Sequence, residues 1–356
     1  MDRRNFIALG GAGLTAACQG QPEKGSGISS QRTGPMARSY PPVVQRSPAG
    51  FRVIHDRSTF IEQFKYEHWE ASRDWKDDCE LWSDFSWRWG AGTLPIQRRP
   101  MRVLEGLYLL GPEDYQQCIY LWDTGEGLLL VDPSYERFRP MIETQIRQLG
   151  WELNQVKWVL LTHMHLDHTE SAQSYAERGA EVFIHKDDAG AVRGEEKMVS
   201  AQMNRPVKQL TAFNDGDTLS FGPLEMKVIH TPGHTPGACC FTLEWQSSRI
   251  FISEDIVLHY GRHAWMGADY CDWDQYLASL WKMYRNPEAG KSEVLLPGHG
   301  TLELEGASDS LYKALQVVSH IISLRRSGED IDWVDPYKLF WQRKIAGSPE
   351  IVPLES

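Results

Sequence analysis

The sequence has little positive charge. Its 37 Lys and Arg residues face 48 Asp and Glu residues, which gives a formal net charge of -11 at pH 7. Because an acidic surface repels phosphate backbones, this balance argues against nucleic acid as a partner. The apolar stretch that ends at Ala17 is shorter than the roughly 20 residues that a bilayer-spanning helix needs. The remaining composition, 41% hydrophobic and 24% charged over 356 residues, is typical of a soluble globular protein with a large core.

Cysteine is also scarce. Five cysteines follow Cys18, and an odd number leaves at least one free thiol. Cys239 and Cys240 are adjacent in a predicted strand, so their side chains face opposite ways and are expected to fill apolar cores rather than pair. None of the five lies within a second cluster of metal-binding residue types. They are Cys79, Cys118, Cys239, Cys240 and Cys271.

Residues 1–18 have the pattern of an export signal. Arg3 and Arg4 precede the apolar stretch, which resembles a bacterial twin-arginine signal, although Asp2 departs from that pattern. An ordinary secretory signal with two chance arginines is the alternative. Cys18 follows a lipoprotein-like processing site, and a lipid there would place the protein on a membrane surface; a simple cut before Cys18 is the competing interpretation. The sequence thus predicts a protein of the bacterial periplasm, free or lipid-anchored.

Two further segments precede the main domain. Residues 19–50 are rich in Gly, Ser, Pro and Gln with almost no apolar periodicity, which predicts a flexible linker. Residues 51–100 form an extension crowded with Trp, Phe and Tyr. This extension either packs on the main domain as adhesive apolar area or forms a lid that contributes an apolar wall to the active site.

The main domain, residues 101–356, contains a dense group of metal-ligand types. His163, His165, Asp167 and His168 follow the apolar run from Val156 to Leu161. Imidazole and carboxylate are ligands that zinc takes. His163 and His165 point the same way along an extended strand end, whereas Asp167 and His168 lie past the bend and can face a second point. This spacing indicates two neighbouring metal ions rather than a polar turn.

Other predicted strands end in the same way. His234 lies in a stiff loop with two prolines and two glycines, Asp255 follows the strand from Arg249 to Ser253, and His299 follows the strand from Val294 to Leu296. Ligands at the ends of rigid strands are held accurately. Asp132, at another strand end, is either a turn residue or an acceptor that orients a ligand histidine. His185 is expected to be a surface residue or one that supports a ligand, and His230, at a strand end, is expected to be structural; neither is expected to be a ligand.

These motifs together resemble the metallo-beta-lactamase superfamily. The His-x-His-x-Asp-His motif, the Gly-His-Thr-Pro-Gly loop, the strand-end aspartate and the Pro-Gly-His-Gly motif occur in the right order between residues 101 and 326. The resemblance implies an α/β fold, a four-layer αββα sandwich with two divalent metal ions, zinc by ligand preference, at one edge. It assigns His163, His165 and His234 to the first metal, Asp167, His168 and His299 to the second, and Asp255 to both. Glu254 is a departure, because many relatives have Gly there.

The resemblance also implies a reaction. Metal binding lowers the pKa of water toward about 7, so hydroxide is available to attack an ester, thioester, lactone or amide carbonyl of a small-molecule substrate. Asp167 is a candidate for proton transfer, and Tyr260 and His263 are candidate donors to the substrate oxyanion, unless they belong to a surface loop. Asp255 stands where antibiotic-hydrolysing members carry Cys or Ser, which counts against a true beta-lactamase.

Three other functions remain open from the sequence. They are a sulfur dioxygenase with one iron, a phosphodiesterase on the same fold, and a non-catalytic binding protein. Metal content distinguishes the dioxygenase, and phosphodiester hydrolysis distinguishes the phosphodiesterase. The complete ligand set argues against the non-catalytic binding protein.

Overall fold

A computed structural model describes residues 100–111, 117–198, 201, 203–258, 261–300, 302–304 and 306–328. The predicted export signal, the linker and nearly all of the aromatic extension lie outside the described residues. The described part contains two sheets and helices that cover their outer faces. None of the described helices combines the length and the apolar character required to cross a membrane.

The first sheet has seven strands in chain order. Strands β1 to β4 pair antiparallel, whereas β4 to β7 pair parallel, since helices connect β4 to β5 and β5 to β6. The strands are β1 (Met101–Leu104), β2 (Leu107–Leu110), β3 (Ile119–Asp123), β4 (Leu128–Val131), β5 (Val156–Leu160), β6 (Glu181–His185) and β7 (Thr211–Phe213).

The second sheet has five strands in the order β12-β11-β10-β9-β8. Its neighbours are antiparallel except for β11 and β12, which run parallel and therefore end at the same edge. The strands are β8 (Thr218–Phe221), β9 (Leu224–His230), β10 (Cys239–Trp245), β11 (Ser248–Glu254) and β12 (Val294–Pro297).

Six α-helices occur in the described residues, together with short 3-10 segments. They are α1 (Arg139–Gln148), α2 (Leu166–Thr169), α3 (Ala172–Ala176), α4 (Lys186–Val192), α5 (Trp273–Arg285) and α6 (Ala307–Arg326). The side chain of Asp272 caps α5 by accepting from the amides of Asp274 and Gln275. Helix α5, which packs against the second sheet, therefore has a defined start.

Apolar side chains form three layers of core. One lies between the sheets and includes Trp122, Phe221 and Phe241. A second joins the first sheet to α1, α3 and α4 through residues such as Ile146. A third joins the second sheet to α5 and α6 through residues such as Tyr276. Two sheets packed face to face with helices outside confirm the predicted αββα sandwich.

Most predicted elements are confirmed, with the following differences. The apolar pattern from Val103 to Leu110 predicts one strand, but the structure has a hairpin there, because Gly106 takes a left-handed φ of 75° and reverses the chain. The amphipathic pattern from Glu136 to Leu149 predicts one helix, which begins as a 3-10 turn and becomes α-helical at Arg139. Helices α2, α4 and α5 and strand β7 were not predicted. Cys239 and Cys240 face different core layers, as predicted.

Candidate metal centre

Three buried histidines converge at one edge of the sandwich. His163 and His165 follow β5 of the first sheet, whereas His234 lies in the loop between β9 and β10 of the second sheet. The Nε2 atom of His163 is 3.1 Å from Nδ1 of His165, and the His165 and His234 rings are 4.5 Å apart. One nitrogen from each ring lies within 4.8 Å of the others. The three rings can therefore face a common point.

A second group lies beside the first. Asp167 and His168 belong to α2, and His299 follows β12. The Nε2 atom of His299 is 3.2 Å from Nε2 of His168 and 3.3 Å from Oδ2 of Asp167. This group also joins the two sheets, because α2 continues from β5 and β12 belongs to the second sheet.

Asp255 lies between the two groups. Its Oδ2 atom is 3.6 Å from Nε2 of His234 and 3.4 Å from Nε2 of His299, and its Oδ1 atom is 3.7 Å from Nε2 of His168. One carboxylate thus faces a candidate ligand of each group. A carboxylate shared in this way is suited to a two-metal site.

The residues present fit a pair of zinc ions. Zinc ligand atoms about 2.0–2.1 Å from a tetrahedral ion lie about 3.4 Å from one another. The nitrogen and oxygen separations in the two groups, 3.1 to 3.7 Å, match that spacing. The buried Nε2 of His234 and Oδ1 of Asp255 have no hydrogen-bond partner. Buried polar atoms are rarely left unsatisfied, and a cation would satisfy both.

In His168, His165 and His234 the ring nitrogen that faces away from the site has a neighbour that orients the ring. Nδ1 of His168 is 3.0 Å from Oδ2 of Asp132, Nε2 of His165 is 2.6 Å from the hydroxyl of Tyr270, and Nδ1 of His234 is 2.9 Å from the carbonyl oxygen of Trp265. Such contacts set the tautomer of a metal-binding imidazole. Of the alternatives open for Asp132, the structure favours the orienting acceptor.

Asp188 connects the two loops that carry the first group. Its Oδ2 atom accepts from the amide of Met164 at 2.9 Å and from the hydroxyl of Thr235 at 2.7 Å, and its Oδ1 atom accepts from the amide of Gly237 at 2.6 Å. The side chain is fully buried. One carboxyl group therefore fixes the His163 loop of the first sheet to the His234 loop of the second.

The loop of His234 also lies tightly against α5. A Cβ atom at Gly233 would lie 2.5 Å from the backbone nitrogen of Tyr276, and the φ of Gly233 is 135°. Only glycine allows this approach and this backbone conformation. The amide of Asp272, at the start of α5, donates to the carbonyl oxygen of Gly233 at 2.8 Å. Helix α5 thus supports the position of His234.

The surroundings of the candidate ligands shift the pKa values of three histidines and two aspartates toward the protonation states that bind metal. Burial lowers the pKa of His163, His165 and His234, which keeps these imidazoles neutral. Burial raises the pKa of Asp167 and Asp255, but the adjacent His168 and His299 outweigh it and hold both values below their usual range. Neutral imidazoles and ionised carboxylates are the forms that bind metal.

The two carboxylates raise the pKa values of His168 and His299. Burial lowers the pKa of His168 and His299, but Asp167 and Asp255 outweigh it and raise both values. A cation that binds this group would therefore displace protons from the two imidazoles.

His263, one of the two candidate oxyanion donors, is not part of either group. The described contacts of His263 are a hydrogen bond to the carbonyl oxygen of Ala264 at 2.6 Å and a ring contact with Trp273 at 5.3 Å. Burial lowers the pKa of His263 to about 4. Tyr260 lies outside the described residues. Catalytic roles for His263 and Tyr260 stay predictions.

A third set of ligand types, His185, Asp187 and His230, lies elsewhere. The rings of His185 and His230 are stacked, with centroids 4.0 Å apart and planes 15° apart. The lone pair of an imidazole lies in the ring plane, so two nearly parallel rings cannot direct their lone pairs at one ion. His230 also contacts the carbonyl oxygen of Pro236 at 2.8 Å. This geometry agrees with the prediction that neither histidine is a ligand, although His185 is buried and does not lie at the surface.

The sequence reasoning missed Asp188 and Tyr270. Asp188 lies in the first turn of the short helix after β6, and Tyr270 lies in the loop before α5. No spacing rule links either residue to the histidines, because both contacts span distant parts of the chain. The position of Asp188 after a predicted strand end with His185 was the one available signal.

Comparisons with known proteins agree with this fold and site. A family model described as metallo-beta-lactamase superfamily matches residues 111–299. An uncharacterized protein of Mycobacterium leprae, ML0493, is 28% identical over 202 residues, covering 53% of this chain and 88% of that protein. The acyl-coenzyme A thioesterase MBLAC2 of Gallus gallus is 27% identical, covering 39% of this chain and 54% of that protein.

Two further comparisons concern a zinc-dependent relative and a solved structure. The probable polyketide biosynthesis zinc-dependent hydrolase PksB of Bacillus subtilis is 28% identical, covering 51% of this chain and 72% of that protein. The solved structure of the metallo-beta-lactamase MIM-2 superimposes with a TM-score of 0.54 at 22% identity, covering 71% of this chain and 98% of that one. The structural likeness supports the fold.

Proposed function

Since this metal-dependent hydrolase belongs to the metallo-beta-lactamase superfamily, we propose that it binds two zinc ions and hydrolyses an ester, thioester, lactone or amide carbonyl. The observation that carries the proposal is the position of Asp255, within 3.4 to 3.7 Å of candidate ligands in both groups. A mononuclear iron oxygenase needs two histidines and one carboxylate, which the first group and Asp255 already supply. It would leave Asp167, His168 and His299 without a ligand role, so the second group favours two ions.

The candidate ligands divide between the two ions. His163, His165 and His234 would hold the first ion, Asp167, His168 and His299 would hold the second, and Asp255 would serve both. When bound, the two ions make hydroxide available at neutral pH and stabilise developing negative charge on the substrate. The sandwich contributes rigidity, because the ligands extend from strand ends or from turns anchored to them.

Asp167 is the candidate for moving a proton. Its Oδ2 atom faces His168 and His299, so Oδ1 is the oxygen available to accept a proton from the attacking water. Its side chain retains 21% exposure, against 9% or less for the other six candidate ligands, so it lies on the side open to solvent. Asp167 can therefore pass the proton to solvent or to a leaving group.

The substrate proposal is a small molecule, with a thioester as the first choice. The Gallus gallus relative, an acyl-coenzyme A thioesterase, supports a thioester. Trp265 lies beside the site with its ring 6.1 Å from that of His165 and is 39% exposed. An exposed indole next to the metal ligands offers an apolar surface to the acyl part of a substrate.

A hydrolysis screen tests the proposal. Bound metal is counted by mass spectrometry on the protein as purified. The zinc-loaded protein is then assayed on matched esters, thioesters, lactones, lactams and a bis-aryl phosphodiester. We expect about two zinc ions per chain, carbonyl hydrolysis, and loss of activity in His165→Ala. One iron per chain, or phosphodiester hydrolysis alone, would refute the assignment. Tyr260→Phe and His263→Gln test the two candidate oxyanion donors, for which we expect a lower kcat at unchanged zinc content.

A further inference from the structure

We propose that Glu254 is a positioning residue, which holds the imidazole of His163 in the tautomer that presents Nε2 to the first metal. The inference rests on the proposed function, because it concerns a candidate ligand of that metal. Glu254 is the last residue of β11 and immediately precedes Asp255.

The backbone of Glu254 is in a conformation that glutamate disfavours. Its φ is 43°, in the left-handed region, where a Cβ atom crowds the following carbonyl oxygen. Glycine would adopt this conformation without strain. Strained residues of this kind cluster at functional sites, where the side chain has a role that glycine cannot supply. The strained backbone of Glu254 therefore indicates a role for its carboxyl group.

The carboxyl group of Glu254 is buried among the candidate ligands. Only 1% of the residue is exposed. Its Oε2 atom lies 3.2 Å from Nδ1 of His163 and accepts the amide of Asp255 at 2.5 Å. One oxygen thus contacts the ring of a first-group histidine and the backbone of the shared aspartate. Replacing this side chain would affect His163 more directly than it affects the fold.

The tautomer of His163 follows from its neighbours. Nδ1 is also 3.1 Å from the hydroxyl of Thr162, and that hydroxyl donates its only proton to Oδ2 of Asp132 at 2.7 Å. The hydroxyl can therefore only accept at Nδ1. The Oε2 atom of Glu254 accepts the amide of Asp255 and has a second lone pair with which it can accept the Nδ1 proton. With acceptors on both contacts, Nδ1 carries the ring proton and Nε2 keeps the lone pair.

The free Nε2 atom points into the first group, 3.1 Å from Nδ1 of His165. Without Glu254, Thr162 alone would hold the ring, and the His163 ring could rotate or change tautomer. Outer contacts of this kind contribute about 10- to 100-fold to metal affinity. The effect of Glu254 should therefore appear in zinc binding before it appears in folding.

Two substitutions separate positioning from a structural role. Glu254→Gly relieves the strained φ but removes the acceptor, whereas Glu254→Gln keeps an oxygen that can serve both contacts. Zinc affinity is measured by competition with a chromophoric chelator, and stability by urea unfolding of the zinc-free proteins. Visible spectra of the cobalt-substituted proteins report the geometry of the first site.

We expect Glu254→Gly to be at least as stable as the wild type, to bind one of its two zinc ions 10- to 100-fold more weakly, and to have altered cobalt bands. Glu254→Gln should stay within about threefold of the wild type, because its amide oxygen can make the same contacts. Wild-type zinc affinity in Glu254→Gly, or equal losses in both variants, would overturn the inference. Failure of the proposed function is distinct, because it would appear as fewer than two zinc ions in the wild type itself.

Discussion

The Nε2 atoms of His168 and His299 lie 3.2 Å apart although 131 positions separate the two residues. His168 follows a strand of the first sheet, and His299 follows a strand of the second. The first group also combines residues from both sheets, because His234 comes from the second sheet. Both groups therefore exist only when the two sheets are packed together.

Removal of zinc should destabilise the sandwich for this reason. A ligand that binds only the folded state stabilises it by about 4 kcal/mol when its free concentration is about 1,000 times its Kd. We expect zinc-loaded protein to unfold at a higher urea concentration than chelator-treated protein, and zinc addition to restore the difference. Superimposable unfolding curves would mean that the ligands do not link the sheets through metal.

Gly298 determines the space available to Asp255. A Cβ atom at position 298 would overlap Oδ1 of Asp255 and lie 3.1 Å from Cε1 of His168. We expect Gly298→Ala to displace the shared carboxylate and to lower kcat/KM for the identified substrate at least tenfold, with weaker zinc binding. Gly127→Ala is the matched control, because its Cβ would meet only the flexible side chain of Lys157. Equal activity in the two variants would contradict the role of Gly298.

Asp188 should have a measurable effect on stability. In Asp188→Asn the side-chain nitrogen of asparagine must take the place of one carboxylate oxygen. Either the backbone N–H of Gly237 or the donors of Met164 and Thr235 then lose their acceptor. A buried donor without an acceptor costs about 1–3 kcal/mol. Urea unfolding of the zinc-free proteins measures this loss. The control is Asp187→Asn, at a neighbouring exposed carboxylate, which should stay within about 0.5 kcal/mol of the wild type.

His185 should make the stability depend on pH. Burial, followed by the neighbouring His230, lowers the pKa of His185 to about 4, whereas the ordinary histidine value is about 6.5. Between these values the unfolded chain takes up a proton that the folded protein does not. Stability from this residue is therefore complete above about pH 6.5 and is lost as the pH falls toward 4.

The variant His185→Phe isolates that contribution. Phenylalanine keeps a flat ring against His230 and cannot be protonated. Between pH 7 and pH 4.5, zinc-free wild-type protein should lose about 1–2 kcal/mol more stability than the variant, because solvent screens part of the charge effect. Parallel pH profiles of the unfolding free energy would show that His185 is not responsible.

Local sequence patterns predicted much of the fold and the positions of the candidate ligands. The sequence identifies strands β5, β11 and β12 because their apolar runs end at glycine, proline or polar residues. It identifies the β8–β9 hairpin because Gly222 and Pro223 divide residues 216–231 into two strands. The failures were also local in origin. A turn at Gly106 divides what looks like one strand, and α5 combines apolar and charged residues around several aromatics, which concealed its period.

The sequence by itself determined which side chains have metal-ligand chemistry, since His163, His165, Asp167 and His168 are close along the chain directly after a buried strand. Only the tertiary structure decided how these side chains meet His234, Asp255 and His299, and how Asp188, Tyr270 and Glu254 hold them. The physical reason is that backbone periodicity is a property of adjacent residues, whereas contacts across two packed sheets depend on the register of strands far apart in sequence.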